Sequence, residues 1–174
     1  MQLNSFQDLF VGNKHNYGQH VYADSKDGEK EQGRNQTITD KLVTIQQYNN
    51  HLEGKVGLGL IPINEESKCK FAVIDVDIYN KSLKSYLAAI ERHNLPLVPF
   101  YSKSGGLHIY IFFKQFVKAS EAVKRINKLA RILGITLLVK KEKNEALEIF
   151  PKQTRTLFLS SEGAALLKEL ERQG

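Results

Sequence analysis

Residues 70–78 read Lys70-Phe71-Ala72-Val73-Ile74-Asp75-Val76-Asp77-Ile78, and the fold turns on how this stretch is read. Side chains alternate along a strand, so Ala72, Ile74, Val76 and Ile78 share a wholly apolar face, while Phe71, Val73, Asp75 and Asp77 share the other. The first face demands a hydrophobic layer behind it. The second delivers two carboxylates side by side at the strand's C-terminal end. Ionised acids on so apolar a strand require a compensating charge. A divalent cation supplies one, and oxygen-only ligation points to Mg²⁺ or Mn²⁺ rather than zinc. Taken alone, D-x-D has a plainer alternative, in which the strand stops and Asp75 and Asp77 open a loop.

Two further strands extend the pattern. In Leu107–Lys114 the residues Leu107, Ile109, Ile111 and Phe113 form an apolar face, and His108 is the exception on the aliphatic strand's other face, beside Tyr110 and Phe112. Directly before it runs the turn Ser102-Lys103-Ser104-Gly105-Gly106, whose glycines let backbone approach a ligand and whose amides and hydroxyls suit phosphate oxygens. It is not a P-loop, since G-x-x-x-x-G-K-[ST] is absent. In Ala146–Phe150, Leu147 and Ile149 take one face and Glu148 the other, followed at once by Pro151, Lys152 and Gln153. Three strands with aliphatic backs would gather Asp75, Asp77, His108 and Glu148 on one side of a sheet.

Outward from these strands the chain alternates. Thr37 is read as the cap of a helix with apolar positions Leu42, Ile45, Tyr48 and Leu52, closed by Gly54. Ser82 precedes a second helix (Leu83, Tyr86, Leu87, Ile90), and Ser120 a third (Val123, Ile126, Ala130, Leu133) with Gly134 at its end. Further strands are expected over Val56–Ile63, Leu97–Tyr101 and Leu137–Lys140, and Asp24–Gln36 is read as a charged, glycine-containing surface loop. The order from Lys70 onward suits an α+β fold: an RRM-like, mainly antiparallel sheet with helices on one face. The expected organisation is a single domain over 1–174, with a small N-terminal αβ module (1–64), the sheet domain (65–155) and a terminal strand and short amphipathic helix (156–174).

With 174 residues and 41% hydrophobic content the chain supports one compact domain. The formal charge of +6 permits a polyanionic partner, and its distribution is uneven: residues 118–143 alone hold eight Lys/Arg against two acids. There Lys124, Lys128 and Arg131, with Arg125 beside them, line one face of the third helix, which is either a solvated surface or a track for template or primer phosphates. The single cysteine, Cys69, excludes an intrachain disulfide and any zinc site of two or more thiolates, and is read as a small half-buried hydrophobe. No apolar run approaches the roughly 18 residues of a membrane helix, so no membrane partner and a cytoplasmic location are expected.

Jointly these motifs resemble the archaeo-eukaryotic primase superfamily, the primase-polymerases. Its signature is an apolar strand ending in D-x-D, a serine and glycine turn leading to a strand histidine, and a later acid on a strand. Val73-Ile74-Asp75-Val76-Asp77, Ser102-Lys103-Ser104-Gly105-Gly106-Leu107-His108 and Leu147-Glu148-Ile149-Phe150-Pro151-Lys152-Gln153 match it in order and spacing. The upstream His51-Leu52-Glu53-Gly54, with Gly57 and Gly59, is similar to the lead-in of phage, plasmid and CRISPR- or conflict-associated members.

The resemblance implies a DNA-directed nucleotidyltransferase, a primase or polymerase using nucleoside triphosphates and two Mg²⁺ or Mn²⁺ ions. Asp75, Asp77 and Glu148 would be the catalytic metal ligands. Ser102, Lys103, Ser104, Gly105, Gly106, His108 and Lys152 would bind the nucleotide, Lys103 and Lys152 as phosphate partners unless they are ordinary solvated lysines. Lys124, Arg125, Lys128 and Arg131 would bind nucleic acid. Implied partners are single-stranded DNA template and primer, nucleotides, and a helicase or further domains of a longer parent chain. Beyond Gln153 the sequence departs from the relatives' pattern, an end either truncated or diverged. Two alternatives are a metal-dependent nuclease on a similar sheet and a non-catalytic RRM-like nucleic-acid binder. The nuclease has no need of the turn before His108, and the binder would carry aromatics where Asp75 and Asp77 stand.

Overall fold

The computed structural model describes residues 3–22, 33–77, 83–102, 105–134 and 146–156. In chain order the elements are α1 (Leu3–Leu9), β1 (Tyr17–Tyr22), β2 (Gly33–Ile38), α2 (Ile45–Leu52), β3 (Val56–Leu60), β4 (Lys68–Asp77), α3 (Leu83–Arg92), β5 (Val98–Tyr101), β6 (Leu107–Lys118), α4 (Ala119–Ile132) and β7 (Ala146–Phe150). The fold class is therefore α+β with two antiparallel sheets, as expected. The described residues fall into two compact units, one holding residues up to Ser67 together with Thr156, the other Lys68–Arg155.

In the first unit β2, β1 and β3 form an antiparallel sheet in that order. Two of these strands escape the hydrophobic pattern. β1 carries Gly18 opposite Gly59 of β3, and β2 is a largely exposed polar strand paired with β1 from Tyr17↔Ile38 to Tyr22↔Gly33. An edge strand open to water needs no apolar alternation, so residues 33–36, expected in a loop, are strand; residues 23–32 lie outside the described residues. Thr37 likewise belongs to β2. The cap of α2 is Thr44, whose amide donates to Gln47 Oε1 at 2.9 Å. Of the apolar positions assigned to that helix only Tyr48 is buried, against Phe6 of α1, while Leu42, Ile45 and Leu52 are each more than half exposed. Gly54, at φ +74°, ends the helix as expected.

The second unit runs β-α-β-β-α-β, with spatial order β5-β6-β4-β7 and every neighbouring pair antiparallel. Its core is the face predicted from the alternation. Ala72, Ile74 and Val76 of β4 and Ile109 of β6 are fully buried, and Leu107 nearly so. Against them lies α4, whose Ala119, Ala122, Ile126 and Ala130 are also fully buried. Three alanines in that stripe let the helix axis come close to the sheet, and Ile126 fills the space between them. Tyr86 and Ile90 are the buried residues of α3.

Boundaries differ where packing overrides local signals. α4 begins at Ala119, directly after β6, with Lys118 rather than Ser120 at its N-cap. Ala119 is drawn into the core, which starts the helix two residues earlier than the serine signal. β6 runs on to Lys118 past the expected Lys114, where the pairing with β4 jumps from Phe71↔Phe112 to Cys69↔Val117. Cys69 is fully buried rather than half-buried, and burial pushes its thiol up to about 12. The expected strand Leu137–Lys140 and the terminal strand and helix from Leu157 onward lie outside the described residues.

Candidate active site

The outer face of the second sheet carries one continuous row of functional groups. β4 is flanked by β6 and β7, and Asp75 stands opposite His108 on one side and Glu148 on the other. Phe100 of β5 continues the row beyond His108. Asp77 lies two residues further along β4, opposite Ala146, on the same face. Asp75 and Asp77 are thus both residues of β4, which ends at Asp77. Four residues read from separate stretches of sequence meet on one surface because the three apolar backs share a single core.

The electrostatics of this surface are strained. Two carboxylates in direct cross-strand register repel each other. His108 Nε2 lies 3.3 Å from Asp75 Oδ1, close enough for an ion pair. That oxygen is buried and beyond this long contact has no hydrogen-bond donor among the described residues. The Asp75 carboxylate against its ring raises the imidazole of His108 above its ordinary value, with desolvation opposing and the charge of Asp77 adding to the rise. Removal from water raises the Asp77 carboxyl, and the negative charges of Asp75 and Glu148 push the same way against the pull of His108. Burial, with the charge of Asp75 behind it, drives the Tyr110 hydroxyl up to about 12.

The turn before His108 is held against the acids. Ser102 Oγ accepts from the Gly106 amide at 2.9 Å, and the Ser102 amide donates to the Gly106 carbonyl at 3.0 Å. Gly105 adopts φ +87°, a conformation that favours glycine. A Cβ on Gly106 would meet the Val76 carbonyl oxygen at 2.6 Å and Asp77 Oδ1 at 2.9 Å. The serine and glycine pattern thus marks a close approach of backbone to carboxylate. Lys103 and Ser104 lie outside the described residues.

Glu148 has a partner that the pattern did not reveal. Lys152 Nζ sits 2.9 Å from Glu148 Oε1, with its ammonium 4.9 Å from the centroid of Phe150. The available signal was the four-residue spacing of the two charges. The basic residues of α4 stand elsewhere. Because α4 packs its buried stripe on the back of the sheet, exposed Lys124, Lys128 and Arg131 lie across the sheet from the acid row. Arg125 is engaged by Glu121 at 2.7 Å and lies over the Phe113 ring. In the first unit, His51 Nδ1 stands 3.2 Å from the Val56 carbonyl and 3.3 Å from the Leu58 amide, fastening the last turn of α2 to β3.

A buried carboxylate oxygen beside two further acids is a donor set that fits a hard divalent cation. Among the described residues no three acid, histidine or cysteine side chains are already drawn together as a metal cage.

An antiparallel β-α-β-β-α-β sheet with these acids on its outer face is the fold of a primase-like domain. The chain belongs to the archaeo-eukaryotic primase domain family of TOTE conflict systems, whose family model matches residues 2–158. Comparison with curated proteins returned no match. Membership places the chain in a superfamily of primase-polymerase-like nucleotidyltransferases, proteins that interact with nucleic acid and nucleotides and are generally metal-dependent. No helix among the described residues is long and apolar enough to cross a membrane.

Proposed function

We propose that the outer face of the β5-β6-β4-β7 sheet transfers nucleotides from nucleoside triphosphates to the 3′ end of a primer on a single-stranded DNA template. The observation that carries this reading is the Glu148–Asp75–His108 row, with Asp77 beside it and a buried oxygen of Asp75 in long contact with His108 at 3.3 Å. Asp75, Asp77 and Glu148 would hold two Mg²⁺ or Mn²⁺ ions, which supply activation of the attacking hydroxyl and neutralisation of the departing pyrophosphate. His108, whose imidazole the Asp75 carboxylate raises above its ordinary value, would face the triphosphate. The close approach of the Gly106 backbone to Asp77 supports a turn that would bind phosphate oxygens beside the acids. Lys152 adds a second cation at the other end of the row.

The test is incubation with a primed single-stranded template, labelled nucleotides and Mn²⁺. Primer extension by the wild type, absent in Asp75→Ala, is the expected result. Template degradation in place of extension would transfer the site to a nuclease.

A further inference from the structure

Glu148 and Lys152 form an ion pair at one end of the acid row, so the ammonium and an incoming metal would compete for one carboxylate. Their carboxylate and ammonium stand 2.9 Å apart, and both side chains are roughly half exposed, at 46% and 49%. The ammonium also stands over the Phe150 ring, 4.9 Å from its centroid. Across the strand from Glu148 is Asp75, whose buried Oδ1 has a long 3.3 Å contact with His108. Without a second cation the like charges would repel, and Lys152 is the cation that Glu148 has.

We propose that Lys152 is an exchangeable counter-ion: Glu148 gives it up when a divalent cation binds, and the freed ammonium turns to the phosphates of the nucleotide. This rests on the nucleotidyltransferase reading and adds to it a source of cooperativity between metal and triphosphate. Before exchange, the ammonium competes with the metal for Glu148. After exchange it has lost its carboxylate, and the triphosphate is the anion within its reach. An exposed ion pair is weak enough to be exchanged readily. By linkage, whatever factor the exchange adds to nucleotide affinity in the presence of metal it adds equally to metal affinity in the presence of nucleotide.

The experiment measures Mn²⁺ binding to the full chain by electron paramagnetic resonance, with and without a non-hydrolysable nucleoside triphosphate, in wild type, Lys152→Met and Lys152→Arg. Methionine keeps an unbranched stem and removes the charge. Lys152→Met is expected to bind Mn²⁺ alone more tightly, by ~2- to 5-fold, yet to bind triphosphate more weakly with Mn²⁺ present, so the coupling factor falls. Lys152→Arg, keeping the charge, is expected to preserve the wild-type pattern. Parallel weakening of both ligands in Lys152→Met would indicate a structural role and overturn the exchange, as would two unchanged affinities. A wild-type protein that bound neither Mn²⁺ nor triphosphate would overturn the nucleotidyltransferase reading itself, and the exchange with it.

Discussion

Gly106 touches Asp77: a Cβ at position 106 would stand 2.9 Å from the Asp77 carboxylate oxygen and 2.6 Å from the carbonyl of Val76. Backbone cannot retreat from the second contact without moving β4 itself. Gly106→Ala is expected to cost ~1–3 kcal/mol of stability through overpacking and to lower Mn²⁺ affinity by displacing Asp77. Urea denaturation and metal titration of the variant check both effects. Wild-type metal affinity in Gly106→Ala would show that the contact is unimportant to the site.

The three acids should be separable from the fold. Asp75, Asp77 and Glu148 project from the outer face, and the core is built from the residues between them. Alanine at any of the three is expected to reduce nucleotide incorporation by at least ~100-fold, of the order seen when a group acting in the transition state is removed, while leaving the melting temperature within a few degrees of wild type. A variant retaining more than a few per cent of activity would remove that residue from the metal set.

Metal-free protein should lose stability as pH rises through two windows. Asp77 and His108 both have folded-state values above their ordinary ones. Each then contributes stability that is complete below its ordinary value and lost as pH rises through the raised one. Asp77 acts just above the usual carboxylate range, His108 above the usual imidazole range. Denaturant titrations at a series of pH values should show both declines, with Asp77→Asn removing the lower and His108→Gln the upper. In an NMR titration the His108 ring should show a midpoint above that of a free imidazole; one at or below it would contradict the ion pair with Asp75.

Neutralising Lys124, Lys128 and Arg131 together should leave nucleotide and Mn²⁺ binding unchanged, because α4 holds them behind the sheet. If they contact nucleic-acid phosphates, the log–log salt dependence of single-strand binding should flatten by about 2. An unaltered slope would return this face to simple solvation.

Cys69 should be a silent thiol in the folded protein. It is fully buried in β4 and its thiol is pushed up to about 12, so an alkylating reagent at pH 8 should label it only through opening of the sheet. Labelling should accelerate along with unfolding as urea is added. Rapid modification in native buffer would contradict the burial.

Legibility in the sequence followed how much of each segment is decided by burial. β4, β6 and β7 could be read because apolar residues alternate over Ala72–Val76, Leu107–Phe113 and Leu147–Ile149, and the same alternation put Asp75, His108 and Glu148 on one face. α4 could be read from its stripe, although the serine at 120 misled the choice of cap. β1 and β2 could not, since a glycine pair and an exposed polar edge leave no periodic trace. The Lys152 contact was hidden for another reason. A charge four residues away reads as a helix pair, whereas here a chain turn after β7 brings the two side chains together.

β4 is at once the central strand and the bearer of both aspartates, and its inward residues Ala72, Ile74 and Val76 are entirely shielded from water. A slip of one residue in its pairing would send Asp75 and Asp77 into the hydrophobic layer and turn three aliphatic side chains outward. The folding transition that selects the correct pairing therefore also inspects the chemistry: a misaligned chain is rejected by the energy of the core before it can become an inactive impostor. Replacement of the acids by neutral polar residues passes the same inspection unnoticed. Loss of activity by substitution is thus structurally easy in this scaffold, whereas migration of the site to a neighbouring position is barred.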